Sequence, residues 1–191
     1  MDGHRWFRYS AVAALALCWV TIILGGNVIA TNSGLGCTGW PLCYGGWNLF
    51  PSLNGATGIE WTHRVAAFFL AVSILIMTTF ALSFERSRPA FVRLSVASLA
   101  LVVLLALLGG AVVDSGLDIE LVLLHFGVAT ILFGVLLVLA LLANWKNIPK
   151  RWKEWAHRAS ESAPDPSVPD EASSSSGPVP ASTGPPRPAR S

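Results

Sequence analysis

The sequence predicts an all-α integral membrane protein, a four-helix bundle built from two similar helix pairs. Apolar residues make up 53% of its 191 residues and charged residues only 13%, whereas a soluble domain carries about 25% charged residues. The charged residues are clustered, so that four long apolar runs are left between the clusters. Nearly all Lys and Arg residues fall on one side of these runs. Together the three observations predict a chain that crosses a membrane four times.

Each apolar run has about the ~20 residues that a helix needs to cross the hydrocarbon core. The runs are Tyr9 to Ala30, Thr62 to Phe84, Val92 to Val113 and Leu121 to Ala143. Arg93 lies near the start of the third run, where a long side chain can reach the interface. The runs are therefore predicted to be four transmembrane helices, with loops at residues 31–61 and 114–120 on one side of the membrane.

The first run has an alternative interpretation as a cleaved signal peptide, because Val28-Ile29-Ala30 is similar to a cleavage site. The run is longer than a typical signal core, however, and the motif at its end occurs again later in the chain. We therefore interpret it as the first transmembrane helix.

The basic residues predict the orientation of the chain. They precede the first run (Arg5, Arg8), separate the second from the third (Arg86, Arg88, Arg93), and follow the fourth from Lys146 onward. Arg64 is the exception, at the start of the second run. Because Lys and Arg favour the cytoplasmic side, both termini are predicted to lie in the cytoplasm, with the protein in the plasma membrane.

The C-terminal part of the chain has a different composition. From about Ser160 it consists mainly of Pro, Ser, Ala, Gly and acidic residues, which cannot bury enough apolar surface to offset the entropy of ordering. Between Trp145 and Trp155, Trp alternates with Lys and Arg, a pattern typical of a segment at the surface of an anionic membrane. We expect a four-span domain with this interfacial segment at residues 1–159 and a disordered cytoplasmic tail at 160–191.

The chain repeats its own motifs. Three segments of the first half recur in the same order in the second: Leu24 to Val28 as Leu108 to Val112, Asn32 to Leu35 as Asp114 to Leu117, and Ile59-Glu60 with His63 as Ile119-Glu120 with His125. Apolar helices resemble one another by chance, but the shared order of Gly-Gly, Ser-Gly-Leu, acid and His favours a duplicated helix pair.

The duplication makes the two histidines informative, because an ionisable residue within a span is a candidate functional group. His63 and His125 lie at similar depth on related helices, an arrangement suited to the axial ligands of a haem iron. The neighbouring small residues fit a flat macrocycle: Ala66, Ala67, Gly127 and Ala129. A single such histidine is often a packing residue, and a zinc site would need further ligands that few residues at this depth can supply. Haem is the preferred ligand.

Two charged residues lie beside His63. Glu60 shares its helix face if the helix begins early enough, and could then accept a proton or stabilise positive charge at a haem edge. Alternatively, Glu60 caps the helix N-terminus. Arg64 is predicted to pair either with a haem propionate or with Glu60.

The outer loop contains Cys37 and Cys43, which flank Trp40-Pro41. Because the outer compartment is oxidising, a disulfide between them is favoured over zinc ligation. Cys18 lies within the first span and is interpreted as a small apolar residue.

Several of these motifs resemble those of a known family, the haem A synthases. The resemblance rests on Gly25 to Val28, Ser33 to Cys37, Trp40-Pro41-Leu42-Cys43, and Ile59-Glu60-Trp61-Thr62-His63-Arg64. It covers all four predicted spans, from about Trp6 to Ala143. Enzymes of this family oxidise the C8 methyl group of haem O to a formyl group, which gives haem A for terminal oxidases. The resemblance implies that His63 and His125 ligate haem (haem b, haem O or haem A), that Glu60 is important for catalysis, and that Cys37 and Cys43 form a disulfide.

The sequence also departs from the family pattern. Common members have eight spans in two four-helix halves, each with a pair of histidines, whereas this sequence has one such half. Ile29 stands where many members have Arg, and the third span lacks the Gln that often precedes its Gly-Gly pair. The expected partners are membrane lipid, haem O, an unidentified electron acceptor, and either a second copy or a separate four-helix half. No nucleic acid partner is expected.

Two other functions are compatible with four spans. A bis-histidine membrane protein could transfer electrons or handle haem without oxidising it. A quinone-linked protein that forms disulfides also has four spans and outer cysteines, but it should need a second cysteine pair, which the loop at 114–120 lacks. The preferred prediction is a haem-dependent oxidoreductase of the haem A synthase type.

Overall fold

The computed structural model describes residues 3–44, 51–145, 155, 157 and 158. It contains four helices: α1 (Gly3–Ala30), α2 (Gly55–Phe84), α3 (Pro89–Asp114) and α4 (Ile119–Asn144). Each is long and apolar enough to cross a membrane, and each contains one predicted span. The prediction of an all-α, multi-pass membrane protein is confirmed.

The four helices belong to a unit that comprises residues 1–148. The predicted tail at 160–191 and most of the predicted interfacial segment lie outside the described residues. The domain boundary at residue 159 therefore stays a prediction.

The helices extend beyond the apolar runs because local signals set their ends. α2 begins after Asn54, which has extended backbone angles, and therefore includes Glu60 and Arg64 within its first turns. Pro89 occupies the first turn of α3, where its missing N–H costs nothing. The Asp118 side chain accepts hydrogen bonds from the first backbone N–H groups of α4, a favourable N-cap.

The helices surround a common axis in chain order. Neighbouring pairs are α1–α2, α2–α3, α3–α4 and α4–α1, so α2 and α4 lie diagonally opposite each other. The end of the bundle that carries residues 31–44, 51–54 and 115–118 is called the loop end here, and the other the terminal end. Side chains on α2 and α4 at the same depth can thus approach the centre from opposite sides.

The buried core fills the half of the bundle towards the terminal end. Its residues alternate spacings of four and three along every helix, the pattern of knobs-into-holes packing. They include Phe7, Ala11, Ala14 and Cys18 of α1; Leu70, Ile74 and Met77 of α2; Phe91, Ser95, Ser98 and Val102 of α3; and Leu132, Leu136 and Leu139 of α4. This packed half fixes the helices that carry the site above it.

The core aligns the two helix pairs by position. Every core residue of α1 given above has its counterpart in α3 84 positions later, and those of α2 have counterparts in α4 62 positions later. Phe7 and its counterpart Phe91 are in contact, with ring centroids 5.5 Å apart. His63 and His125 obey the same spacing as the core of their helices. They therefore occupy equivalent positions in the two pairs.

The ends of α1 and α3 repeat the same hydrogen bonds. One bond in each runs from an N–H to the carbonyl oxygen five residues earlier: Ser33 to Val28 at 2.8 Å, and Leu117 to Val112 at 2.9 Å. This closure requires a left-handed residue just before the donor. Asn32 (φ 51°) and Gly116 (φ 73°) provide it, and both residue types adopt that conformation readily.

Two parts of the sequence repeat are not equivalent in the structure. Since Asn32 corresponds to Gly116, the Ser-Gly-Leu motifs are displaced from each other by two positions. Glu60 corresponds to Val122, whereas Glu120 lies exposed in the first turn of α4. The cores of the two helix pairs match by position, but the acids that precede the two histidines do not occupy equivalent positions.

Candidate functional site

The half of the bundle near the loop end encloses a cavity of about 850 Å³, towards the upper end of the ~300–1,000 Å³ range of cofactor and ligand sites. Its walls come from all four helices and from the segment that contains Trp40, Pro41 and Leu42. Most of the lining is apolar. The polar exceptions include the residues singled out in the sequence: Glu60, His63, Arg64 and His125. The structure thus brings all four to one cavity.

His63 is held in place by helix α1. Its Nδ1 lies 3.2 Å from the carbonyl oxygen of Thr21, so a proton on Nδ1 is donated to that oxygen and Nε2 is left as the nitrogen that can bind a ligand. Gly25, one turn further along α1, lies against the ring, and a Cβ placed there would be 3.0 Å from Cε1 of His63. Gly25, the first glycine of the Gly-Gly motif, therefore makes room for the imidazole.

His125 has the same relation to α3. A Cβ placed on Gly109, the counterpart of Gly25, would lie 3.6 Å from Cε1 of His125. Nδ1 of His125 is buried and has no hydrogen-bond partner among the described residues. A buried polar atom without a partner calls for an explanation, and a bound group is one.

A flat macrocycle fits these surroundings. The imidazoles belong to diagonal helices at equivalent positions and border one apolar cavity. Ala67 and Ala129, each four residues after a histidine and hence on the same helix face, also line it. Ala66 and Gly127, which were also predicted to lie beside the macrocycle, are not among the lining residues. Within the described part of the chain, no three His, Cys, Asp or Glu side chains form a metal cluster, as a zinc site would require.

Glu60 is buried at the edge of the cavity, with 3% of its surface exposed. Its Oε2 accepts a hydrogen bond from the N–H of Cys37 at 2.7 Å, and its Oε1 accepts one from Nη2 of Arg64 at 2.5 Å. Glu60 lies in the second turn of α2, while Asn54 is the N-cap residue. The interpretation of Glu60 as a helix cap is therefore wrong.

Arg64 connects α2 to the loop between α1 and α2. Its Nη1 donates to the carbonyl oxygen of Gly39 at 2.7 Å and its Nη2 donates to that of Cys37 at 2.6 Å. Of the two predicted partners of Arg64, the structure contains Glu60. A bond to a haem propionate stays a prediction.

The loop itself is closed by the predicted disulfide between Cys37 and Cys43, both fully buried. Cys18 is a free, buried thiol in α1, in agreement with its interpretation as an apolar residue. Trp40 extends from this loop to α3, where a Cβ on Gly110 would lie 3.1 Å from Cγ of its indole ring.

The polar groups lie on one side of the pseudo-symmetric bundle. Val122 and Phe126 of α4 occupy the positions equivalent to Glu60 and Arg64 of α2, and both line the cavity. The cavity thus has two equivalent histidines but a carboxylate and a guanidinium at one edge only. Such a site can treat one edge of a flat ligand differently from the other.

Sequence reasoning missed two contributors to the site. The contact of Thr21 with His63 is made by a backbone carbonyl, which leaves no signal in the residue type. Trp40 was noted only as a neighbour of the cysteines, although its indole forms part of the cavity wall. An apolar aromatic residue inside a cysteine-bounded loop is the signal that could have indicated this role.

Comparison with known proteins gives one consistent result. No family model matches the chain. Curated proteins named haem A synthase are similar to it: 37% identity over 140 residues for Bacillus pumilus, 35% over 132 for Bacillus licheniformis and 32% over 143 for Geobacillus kaustophilus. These matches cover 71%, 69% and 72% of this chain and 44%, 43% and 43% of the respective relatives.

The chain therefore spans about half the length of the curated relatives it matches. With the Cys37-to-Cys43 loop and the Glu60-to-Arg64 motif in one site, the similarity establishes that this chain belongs to the haem A synthase family.

Proposed function

We propose that this chain binds haem between His63 and His125 and takes part in the oxidation of the C8 methyl group of haem O to a formyl group. The observation that carries the proposal is the one-sided cavity: two histidines at equivalent positions of diagonal helices, with a buried carboxylate at a single edge. The sequence similarity to haem A synthases supports the same activity.

His63 and His125 are proposed as the residues that would hold the haem iron. Thr21 orients His63, while the unpartnered Nδ1 of His125 and the apolar walls suit a large flat group. When bound, the haem supplies a redox-active iron and a conjugated ring whose methyl substituent can be oxidised. Extraction and chromatography of the pigment would identify which of haem b, haem O and haem A occupies the cavity in the cell.

Glu60 is proposed as the catalytic group at the ring edge. Conversion of a methyl group to a formyl group adds an oxygen atom, supplied by water, and releases protons and electrons, so positive charge develops beside the ring. A fixed carboxylate in a site shielded from water can accept a proton and stabilise that charge far better than one in solution. The bonds to Cys37 and Arg64 hold the carboxylate at this edge.

The proposal extends to the surroundings of the protein. Membrane lipid covers the apolar outer faces of the helices, and the basic residues place both termini in the cytoplasm and the disulfide loop outside the plasma membrane. Because the matched segment covers less than half of each relative, we propose that a second four-helix unit, either another copy or a separate chain, completes the enzyme. An electron acceptor of unidentified chemistry receives the electrons.

The test is the Glu60→Gln variant in cells that supply haem O. Gln preserves the size of the side chain and can still accept the Cys37 N–H bond, but it removes the charge. We expect normal insertion, near-normal haem occupancy, and a loss of haem A formation on the order of 100- to 1,000-fold, as for the removal of one preorganised electrostatic contact.

Chromatography of extracted haem decides between the proposals. Full haem A formation by Glu60→Gln would show that the charge is not needed, and loss of bound haem would assign Glu60 to the structure of the site instead. If the unmodified protein binds haem but never produces haem A, alone or with a second unit, the alternative holds: a bis-histidine protein that transfers electrons or handles haem.

A further inference from the structure

The disulfide loop Cys37–Cys43, called the strap here, is held to α2 through the backbone N–H and C=O groups of one residue, Cys37. The N–H of Cys37 donates to Glu60 at 2.7 Å, and its carbonyl oxygen accepts from Arg64 at 2.6 Å. Arg64 also reaches Gly39 O at 2.7 Å. All three bonds therefore involve the Arg64 guanidinium or the carboxylate that it holds, at the border of the cavity.

The opposite side of the strap rests on α3. Gly110 is buried beneath the Trp40 indole, with three ring atoms within 3.4 Å of where its Cβ would be. Gly26, the counterpart of Gly110 in α1, has nothing within 4 Å of its Cβ position. Thus Gly110 provides a seat for the strap, and the matching position in the other helix pair does not.

We propose that Arg64 is a positioning residue that latches the strap across the cavity, and that it controls the entry and release of the macrocycle through the strap instead of binding its propionates. The inference rests on the proposed function, because it takes haem as the occupant of the cavity. Trp40, Pro41 and Leu42 of the strap line that cavity, so lifting of the strap would widen the opening that is available to a planar ligand.

The chemistry of arginine suits a latch of this kind. Its planar fork presents several donors in fixed directions, so that it binds two carbonyl oxygens and a carboxylate at once. Lysine has a compact ammonium group on a flexible stem and cannot reproduce this geometry. Nη1 donates to the carbonyl oxygen of Gly39, and Nη2 donates to the carbonyl oxygen of Cys37 and to the Glu60 carboxylate. Both terminal nitrogens of the guanidinium are thus used to hold the strap.

The first experiment needs no haem. Hydrogen exchange of the strap amides is measured in the purified haem-free protein and in the Arg64→Gln, Arg64→Lys and Gly26→Ala variants. We expect exchange at least about tenfold faster with Gln, the effect of losing one charge-assisted hydrogen bond. Lys should be intermediate, and Gly26→Ala should be unchanged. Equal exchange in all four proteins would overturn the latch.

The second experiment separates a latch from a propionate ligand. Haem binding and release are timed with free-acid haem and with its dimethyl ester, using an excess of a haem-scavenging apoglobin to follow release. A latch predicts that Arg64→Gln accelerates both binding and release, equally for acid and ester. A propionate contact predicts faster release of the acid alone, with no change for the ester, and that result would refute the proposal.

The two experiments fail separately. If the unmodified protein takes up no haem of either kind, the proposed function is wrong, while hydrogen exchange still decides whether Arg64 fastens the strap. If haem binds and the Gly110→Ala variant, which crowds the Trp40 seat, releases it no faster than the Gly26→Ala control, the strap is not a barrier and the inference is wrong.

Discussion

The closest approach between a helix backbone and a proposed ligand residue gives a quantitative prediction. A methyl group added at Gly25 would lie 3.0 Å from Cε1 of His63, whereas carbon atoms in contact prefer about 3.5–4.0 Å. The imidazole must therefore move by roughly half an ångström. That movement strains its bond to the Thr21 carbonyl oxygen, which is already 3.2 Å long.

Overpacking of this kind costs about 1–3 kcal/mol. If the cost falls on the geometry that His63 needs to bind iron, Gly25→Ala raises the Kd for haem about 5- to 150-fold. The corresponding methyl group at Gly109 would lie 3.6 Å from the ring of His125, an ordinary contact. We therefore expect Gly109→Ala to change the Kd by less than about threefold, that is, by no more than ~0.7 kcal/mol.

The assay is a spectrophotometric haem titration of purified protein in detergent. Gly26→Ala is the matched control, because its methyl group meets nothing within 4 Å while the helix gains the same propensity for Ala over Gly. Helix content is compared by circular dichroism, so that a folding defect is recognised. Equal affinities of Gly25→Ala and Gly26→Ala would refute the packing of His63 on α1 as the determinant of its position.

Two further predictions concern the ligands and the loop. His63→Ala and His125→Ala should each abolish the low-spin absorption spectrum of bound haem, and an unchanged spectrum in both would contradict the ligand assignment. For the loop, alkylation under denaturing conditions should label one cysteine, Cys18, before reduction and all three cysteines of the chain afterwards. Three labelled cysteines in the unreduced protein, counted by mass spectrometry, would rule out a stable disulfide.

The sequence was sufficient to predict the fold because a membrane leaves few alternatives. Each apolar run must satisfy its backbone hydrogen bonds internally, so each becomes a helix. The ends of the helices were less predictable. α2 begins at Gly55 and therefore includes Glu60 and Arg64. These two charged side chains are accommodated because they bond to each other and to the loop between α1 and α2. Such long-range partners cannot be read from a window of hydropathy.

The site was predicted in composition but not in its connections. His63, His125 and Glu60 were expected to lie together, and they line one cavity. The strap was expected to contain a disulfide. Nothing in the sequence indicates, however, that the backbone N–H of Cys37 bonds to Glu60 and its backbone C=O to Arg64. These contacts depend on the path of the loop backbone, which residue types alone do not specify.

The one-sidedness of the site follows from the same contacts. A carboxylate at Val122, the position equivalent to Glu60, would face the apolar cavity without an arginine, because Phe126 stands where Arg64 would be. The connection between α3 and α4 is also too short to supply a loop N–H there. An isolated buried charge of this kind costs several kcal/mol. The acid, the arginine and the long loop are therefore interdependent. A buried Glu and Arg can be accommodated in a helix pair only where that pair also has the long loop that bonds to them.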